Sequence, residues 1–359
     1  MIVPGGIGTG ADNVGVPVLE GIVRLLAEEF DVTVFSLFPV RAGYIPRGFE
    51  LVSITANTPA GKAIKLITAL RHHHRKKRFR LIHGFWTLPS GFLAVIAGKI
   101  FGLPSVVSVL GGDAVALPEI QYGELRKWLN RRLILWSLRQ CNEVIVLTKY
   151  LADSLKVFGL TRVLHVVPWG IDTGMFQFKE KPLSDPIQFL HIANHIPVKD
   201  PVTTLRAFQL IGRDISARLT IIGAGPLEGQ LHTIANELGI RDRVVFLKPM
   251  PYAELPRYYA EADILLHTSL SEGQSEVVTE AMTSGVIVCG TAVGLLYDLP
   301  DCCISVPVRS YEGLAAAVVA VIKDTNRMNA VRLRARMWAQ EHSILWTAQE
   351  IGKIYDQLV

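Results

Sequence analysis

The sequence predicts an α/β protein built from two tandem doubly wound domains that face a cleft. Three observations predict it. Short β-branched runs alternate with amphipathic segments from end to end, the pattern of parallel sheets wrapped by helices. The alternation occurs in two series, separated by a polar stretch at Gln177 to Pro186 that carries two prolines and reads as a linker. The length of 359 residues exceeds the ~100 to 200 residues that one core usually holds.

In the first series, strands are expected at Ile2 to Pro4, Val32 to Leu37, Leu51 to Ile54, Leu81 to His83, Ser105 to Val109, Glu143 to Leu147 and Val163 to Val167. Helices fit between them at Val18 to Glu29, Ala60 to Arg75, Pro89 to Phe101, Glu124 to Arg139 and Ala152 to Phe158. In the second series, strands fall near Ile187 to Ile192, Arg218 to Ile222, Arg243 to Leu247, Ala262 to His267, Val286 to Cys289 and Ile304 to Val306. The helices there are Pro201 to Ile211, Leu227 to Leu238, Ala253 to Ala260, Ser275 to Ser284 and Tyr311 to Lys323. The last segment, Ala330 to Val359, is helical by pattern. Each series is Rossmann-like, which gives domains at 1–176 and 177–340 and a C-terminal helix at 341–359 packing back toward the first domain. Ligands of such sheets bind beyond the carboxyl ends of the strands, so the active site is expected in the cleft.

Composition narrows the function classes. Half the residues are hydrophobic and 19% are charged, which excludes disorder. A net charge of +5 suits anionic substrates or an anionic membrane surface and does not require nucleic acid. Cys141, Cys289, Cys302 and Cys303 form neither a metal-ligand spacing nor a disulfide framework, which fits a reducing cytosol. The first residues, MIVPGGIGTGADN, lack the basic flank and apolar region of a secretory signal. The longest apolar stretch, Phe92 to Leu110, is broken by Lys99 and Pro104 and reads as a buried helix followed by a buried strand.

The most informative motif is SEGQSEVVTEAM, in which Glu272 and Glu280 are separated by seven residues at a strand-to-helix junction. Gly273 permits close backbone approach, the helix opening near Ser275 offers unpaired amides to a phosphate, and carboxylates accept hydrogen bonds from sugar hydroxyls. Plainer readings exist: Glu280 as an exposed helix residue, Glu272 as an N-cap acid, Lys199 as a solvated lysine, and strand-end glycines as turns.

With this motif placed among the others, the chain resembles glycosyltransferase family 4 (group 1), whose two-domain architecture is the GT-B fold. The matching residues are PGGIG (Pro4 to Gly8), GGD (Gly111 to Asp113), VPWGIDTGMF (Val167 to Phe176), HIANHIPVKD (His191 to Asp200), IIGAGPL (Ile221 to Leu227), VVFLKPM with the following ELPRYYAEADILLHTS, and SEGQSEVVTEAMTSG. The resemblance implies a retaining, metal-independent transfer of a hexose or N-acetylhexosamine from a UDP- or GDP-sugar to a glycan or lipid-linked acceptor, in cell-envelope polysaccharide synthesis. The residue types suit that chemistry: as the bond to the diphosphate lengthens, charge grows on the leaving phosphate, and preorganised donors lower the barrier. Lys199 supplies a point charge, and the amides of Gly273, Gln274, Ser275 and Glu276 supply aligned dipoles. The loop at Gly5 and Gly6 brings backbone from the other domain. By family position Glu272 binds the donor sugar, Glu280 accepts from the ribose, and Gly223 and Gly225 let a strand end pass the nucleotide. Phe246 to Lys248 would contact the base. No cofactor or metal is expected, and no Asp-x-Asp occurs to hold one.

Two departures stand out. Many family members carry arginine five residues before the lysine, where this chain has Asn194, with Arg206 or Lys248 as substitutes. The family's H-G-x-D loop is here Leu110, Gly111, Gly112 and Asp113, which removes the histidine and leaves Asp113 as a catalytic or acceptor-side candidate, or as a loop cap. In a retaining front-face mechanism the departing phosphate oxygen can take the acceptor proton. His83, at a strand end, and Trp86 are acceptor-binding candidates, the alternative being a buried histidine among core aromatics. The run Arg71 to Arg80 would touch an anionic membrane from a cytoplasmic protein, or else is the solvated end of a helix.

Other classes fit less well. Gly6, Gly8 and Gly10 do not form the dinucleotide fingerprint, nor do Gly223, Gly225 and Gly229. A non-catalytic sugar-nucleotide or glycan-binding protein on the same fold is the principal alternative, and a phosphorylase or an inverting enzyme is another. Because phosphate donors come from both halves, domain closure is expected on donor binding.

Overall fold

A computed structural model describes residues 1–9, 16–178 and 182–359. Gly10 and residues 179–181 of the expected linker lie outside the described residues. The chain forms two units, Met1–Trp169 with Ile344–Val359, and Gly170–Ser343.

The first unit is built on seven strands: β1 (Ile2–Val3), β2 (Thr33–Ser36), β3 (Glu50–Ser53), β4 (Ile82–Phe85), β5 (Ser105–Val109), β6 (Glu143–Val146) and β7 (His165–Val166). All pair in parallel in the order β3-β2-β1-β4-β5-β6-β7, with Ile2 opposite both Phe35 and Gly84. Helices α1 (Pro17–Glu29), α2 (Pro59–Lys76), α3 (Phe92–Phe101), α4 (Trp128–Gln140) and α5 (Lys149–Val157) cover it. α1 starts at a proline, whose missing N–H costs nothing there, and buries Val18, Leu19, Ile22, Val23 and Leu26 along one face. One face of the sheet packs Ile2, Phe35, Leu37 and Ile82 against Leu66 and Leu70 of α2 and Leu93, Ala94 and Ala97 of α3.

Two helix starts fall three or more residues later than the sequence expectation, and α5 starts three earlier, at Lys149. α3 opens at Phe92, not Pro89, because Leu88 is extended (φ −126°, ψ 138°) as residues before proline prefer, and a π-type turn at Thr87–Gly91 precedes the helix. α4 opens at Trp128, not Glu124, because Lys127 is extended after a 3-10 turn at Glu124–Arg126.

The second unit repeats the plan with β8 (Ile187–Ile192), β9 (Ala217–Ile222), β10 (Val244–Leu247), β11 (Ile264–His267), β12 (Ile287–Thr291) and β13 (Ile304–Val306). Their order is β10-β9-β8-β11-β12-β13, again all parallel. The helices are α6 (Pro201–Ile211), α7 (Glu228–Glu237), α8 (Leu255–Glu261), α9 (Glu276–Ser284), α10 (Leu295–Asp298), α11 (Tyr311–Lys323) and α12 (Thr325–Glu341). Phe189, Leu219, Ile221, Ile264 and Leu266 form the sheet side of a core closed by Leu205, Phe208, Leu314 and Val318. The final helix α13 (Ile344–Asp356) belongs to the first unit, where a Cβ on Gly21 of α1 would stand 2.6 Å from Ile344.

The chain enters the second unit at Gly170, ahead of the boundary expected at 176/177. Phe176 is the physical reason: it is 1% exposed and packs edge-on against Tyr252 and Tyr259. At the other end the break falls after Ser343, because α12 runs on to Glu341. Among the described residues no helix is long and apolar enough to cross a membrane.

Candidate functional site

In the second sheet the strand order reverses between β8 and β11, and ligands of doubly wound sheets sit beyond the carboxyl ends at that point. Lys199 lies on the 3-10 turn after β8, and Glu272 on the loop after β11. Their side chains meet, Lys199 Nζ donating to Glu272 Oε1 at 2.5 Å. Ser269 Oγ donates to the same oxygen at 2.5 Å, and His267 Nε2 stands 3.4 Å away. Burial alone would raise the Glu272 carboxyl, but the Lys199 ammonium, His267 and the two hydrogen bonds hold it below the usual carboxylate range. His267 is itself pushed down to about 4 by burial, so it is a neutral imidazole beside a fixed ion pair.

The two loops are laced together. Leu270 N donates to Val198 O at 2.8 Å, and the buried Thr268 hydroxyl bonds Asp200 O at 2.9 Å and Thr204 Oγ1 at 2.7 Å. Asp200 takes φ +42° and caps α6 through Thr203 N and Oγ1, with Pro201 at the first helical position. The cation is thus mounted on a capped helix start and does not swing on an open loop.

α9 opens at Glu276, one residue after the expected Ser275, which adopts φ +80° and makes no side-chain cap. Gly273 and Gln274 are buried, and Gln274 Nε2 donates to Thr279 Oγ1 at 3.2 Å. Gly294, at φ +54°, makes room for this loop: a Cβ there would lie 2.8 Å from Gln274 O and 3.0 Å from Glu272 Cβ. Glu280 is not an exposed helix residue. It is 2% exposed and accepts from Tyr259 OH at 2.5 Å, with Tyr252 as a second donor. Burial pushes Glu280 up to about 7 against the pull of the two tyrosines. Glu276 also rises to about 7, through burial and the Glu280 charge, with Lys199 opposing. The Lys199 ammonium therefore acts on two carboxyl groups, Glu272 and Glu276, while Glu280 is held by the tyrosines.

Gly223 and Gly225 follow β9, and the atoms a side chain would meet there belong to the protein itself. A Cβ on Gly223 would stand 1.9 Å from Ala193 O, and one on Gly225 2.5 Å from His195 O. These glycines let the loops after β8 and β9 touch, as His195 N donating to Ala224 O at 2.8 Å confirms. Asn194 is exposed on the first of these loops. Lys248 is exposed just past β10, an edge strand two positions from β8, and is not part of the Lys199 and Glu272 cluster.

The corresponding end of the first unit is organised differently. Gly5 and Gly6 follow β1, and Gly6 (φ +91°) donates to Thr9 Oγ1 at 2.7 Å. Asp113 is 5% exposed, and its carboxylate accepts from Thr87 N at 2.8 Å, Gly111 N at 2.8 Å and Leu110 N at 3.2 Å. It braces the loops after β4 and β5, the loop-capping reading of this residue, with three backbone amides on its two oxygens. His83 requires a correction. β4 continues to Phe85, which puts His83 inside the strand with no exposed surface. Its ring bonds Tyr355 OH at 2.6 Å and Ser108 Oγ at 2.8 Å and stacks on Phe85, so an acceptor cannot reach it. Trp86 is half-buried at φ +63° and remains available for contact.

Sequence reasoning did not find Tyr252, Tyr259, Ser269 or His267 as site residues. Ser269 and His267 lie three and five residues before Glu272 on the same strand exit, a local signal. The tyrosines reach Glu280 only through tertiary packing.

These features define a class: two Rossmann-like units, one carrying a charged, helix-terminated switch point suited to an anionic ligand. A model described as "Glycosyl transferases group 1" matches residues 174–338, and one described as "Glycosyltransferase Family 4" matches residues 16–174. The chain belongs to the family 4, group 1 glycosyltransferases. It is 27% identical over 264 residues to an MMP alpha-(1->4)-mannosyltransferase of Mycolicibacterium hassiacum, covering 70% of this chain and 63% of that one. It is 32% identical over 187 residues to an N-acetyl-alpha-D-glucosaminyl L-malate synthase of Bacillus anthracis, covering 50% of this chain and 48% of that one. The matched region thus spans less than two thirds of either relative. Among solved structures, a sucrose-phosphate synthase from Thermosynechococcus elongatus superposes with a TM-score of 0.78 at 18% identity, covering 99% of this chain and 98% of that one. Anabaena HepE in complex with UDP and glucose gives 0.78 at 19% identity and 99% of both chains. At these identities the likeness establishes the GT-B fold.

Proposed function

We propose that this protein is a retaining, metal-independent glycosyltransferase that moves a hexose or N-acetylhexosamine from a UDP- or GDP-sugar to a glycan or lipid-linked acceptor. The single observation that carries the reading is the Lys199 and Glu272 ion pair, held at the switch point of the second sheet beside the N-terminus of α9. A diphosphate entering there exchanges the Glu272 carboxylate for its own oxygens as partners of Lys199, and the α9 amides add dipoles of the right sign. As the sugar leaves, these donors are already in place, and no reorganisation is required when charge develops on the phosphate. Glu272, freed from the ammonium, accepts from sugar hydroxyls, and Glu280, oriented by Tyr252 and Tyr259, accepts from the ribose. The relatives named as an MMP alpha-(1->4)-mannosyltransferase and an N-acetyl-alpha-D-glucosaminyl L-malate synthase, and the HepE complex with UDP and glucose, support a nucleotide-sugar donor. A cytoplasmic role in cell-envelope polysaccharide synthesis accords with the lipid-linked acceptor.

A thermal-shift screen of UDP- and GDP-sugars, followed by turnover with the stabilising donor, tests this directly. One nucleotide series should raise Tm, hydrolysis should persist in chelator, and the product should keep the donor's anomeric configuration. Loss of activity in chelator, or inversion, would overturn the corresponding part. One observation favours a second reading, a non-catalytic sugar-nucleotide-binding protein: Leu110 stands where the family has histidine, and the Asp113 carboxylate at the same loop is held by three backbone amides. Donor binding without turnover would select it.

A further inference from the structure

The basic run Arg71 to Arg80 is not used by the donor site, and the fold gives it a distinct setting. It covers the last residues of α2 and the connection into β4, at the amino ends of the first sheet, opposite to the ends where nucleotides bind. There it walls a cavity of about 290 Å³, near the lower end of the ~300 to 1,000 Å³ typical of small-molecule pockets. Most of the wall is apolar: Val32, Phe35, Leu70 and Ile82 are buried, Phe30, Phe79 and Leu81 are half-buried, and all line it with Tyr355, whose hydroxyl already bonds His83, and with Met1, whose amino group donates to Thr33 O at 2.7 Å.

The mouth is positively charged. Lys76, Lys77, Arg78 and Arg80 line it against the side-chain carboxylates of Asp31 and Glu50, with Val359 also on the wall. Both acids are engaged: Asp31 pairs with Lys77, and Glu50 accepts from His73 at 3.3 Å and Thr33 Oγ1 at 3.3 Å. Lys76, Arg78 and Arg80 are left as surplus cations around an apolar hollow, and an exposed guanidinium is matched by a planar carboxylate or a phosphate.

We propose that this cavity is a second ligand site, which takes an organic anion with an apolar body the size of a medium-chain acyl group. The chain would lie among Phe35, Leu70, Phe79 and Ile82, removed from water, and the anionic head would rest on Arg78 and Arg80. Carboxylate and phosphate heads share this chemistry, so both are tested. The inference does not rest on the transferase reading, because it concerns the other end of a different sheet.

Calorimetric titration of the full, untagged chain with dodecanoate, dodecyl phosphate and neutral dodecanol tests it. Saturable one-site binding of at least one of the two anions, at least tenfold tighter than that of the alcohol, is expected. A preference between the anions identifies the head group. Arg78→Glu combined with Arg80→Glu, at exposed positions that leave the fold intact, should weaken that binding at least tenfold and leave the thermal shift by nucleotide sugars unchanged. Leu70→Phe, which fills the hollow, should weaken anion and alcohol alike. If it fails to fold, the charge reversal alone decides. Equal binding of anion and alcohol, no effect of the charge reversal, or association with phosphatidylglycerol vesicles without binding of either monomeric anion would overturn the proposal, the last assigning the run to a charged surface alone.

Discussion

The two units share one strand order and differ in what stands at its reversal. In the second, the exits of β8 and β11 and the helix that follows carry an ammonium, a carboxylate and two acids pushed up to about 7, with buried hydroxyls on Glu272 and Glu280. In the first, the order reverses between β1 and β4, whose exits carry the turn at Gly5 and Gly6 and a half-buried tryptophan, and Asp113 from the loop after β5 accepts from Thr87 N at the β4 exit and from two further backbone amides. The same topology therefore carries two arrangements: one unit gathers charged side chains on one another at its switch point, and the other uses its charge to hold its own loops.

The sharpest way to break this contrast is Lys199→Ala. Loss of one preorganised donor should lower kcat/KM for donor hydrolysis by about 10² to 10³-fold, and an unchanged rate would remove Lys199 from the donor site. Asp113→Ala should act in the opposite sense. It strands two buried amides, Thr87 and Gly111, at about 1 to 3 kcal/mol each before relaxation, and one part-buried amide, Leu110, so Tm should fall clearly while donor affinity holds. A lost donor affinity with unchanged Tm would return Asp113 to the chemistry.

A third effect is in pH. Glu276 and Glu280 rise from an ordinary 4.5 to about 7 in the folded protein, so between those values the folded state binds more protons than the unfolded one. Their contribution to stability is full below 4.5 and is lost as pH rises through about 7. The ligand-free protein should lose Tm across that window, and Glu280→Gln should flatten the slope. Donor affinity should rise over the same range, since the ribose is held by the ionised carboxylate. The smallest effect is expected from Asn194→Arg, which adds one exposed charge worth about 0.3 to 1 kcal/mol and should tighten donor binding about two- to fivefold by titration.

Much of this was legible in the chain. The strands Ser105–Val109 and Ile187–Ile192 and the helices Pro201–Ile211 and Tyr311–Lys323 have the bounds their patterns imply, because prolines and turn residues punctuate them. Lys199 and Glu272 were legible because each sits at a fixed distance from a strand end. What was not legible came from partners distant in sequence. His83 looked like a strand-end histidine until Tyr355, from the last helix, closed over its ring. Asp113 could not be told from a ligand-binding acid without Thr87, which lies on a different loop. Glu280 was expected to be free for a ribose, and only packing revealed the tyrosines that share it.

The glycines after β9 carry a lesson for anyone reading mutational tolerance in this unit. With Ala193 O 1.9 Å and His195 O 2.5 Å from the places their side chains would occupy, positions 223 and 225 should reject every substitution in a saturation library selected only for soluble expression. Intolerance there would report on the fit of two loops, even in a protein that never meets its donor, and should not be scored as evidence of substrate contact.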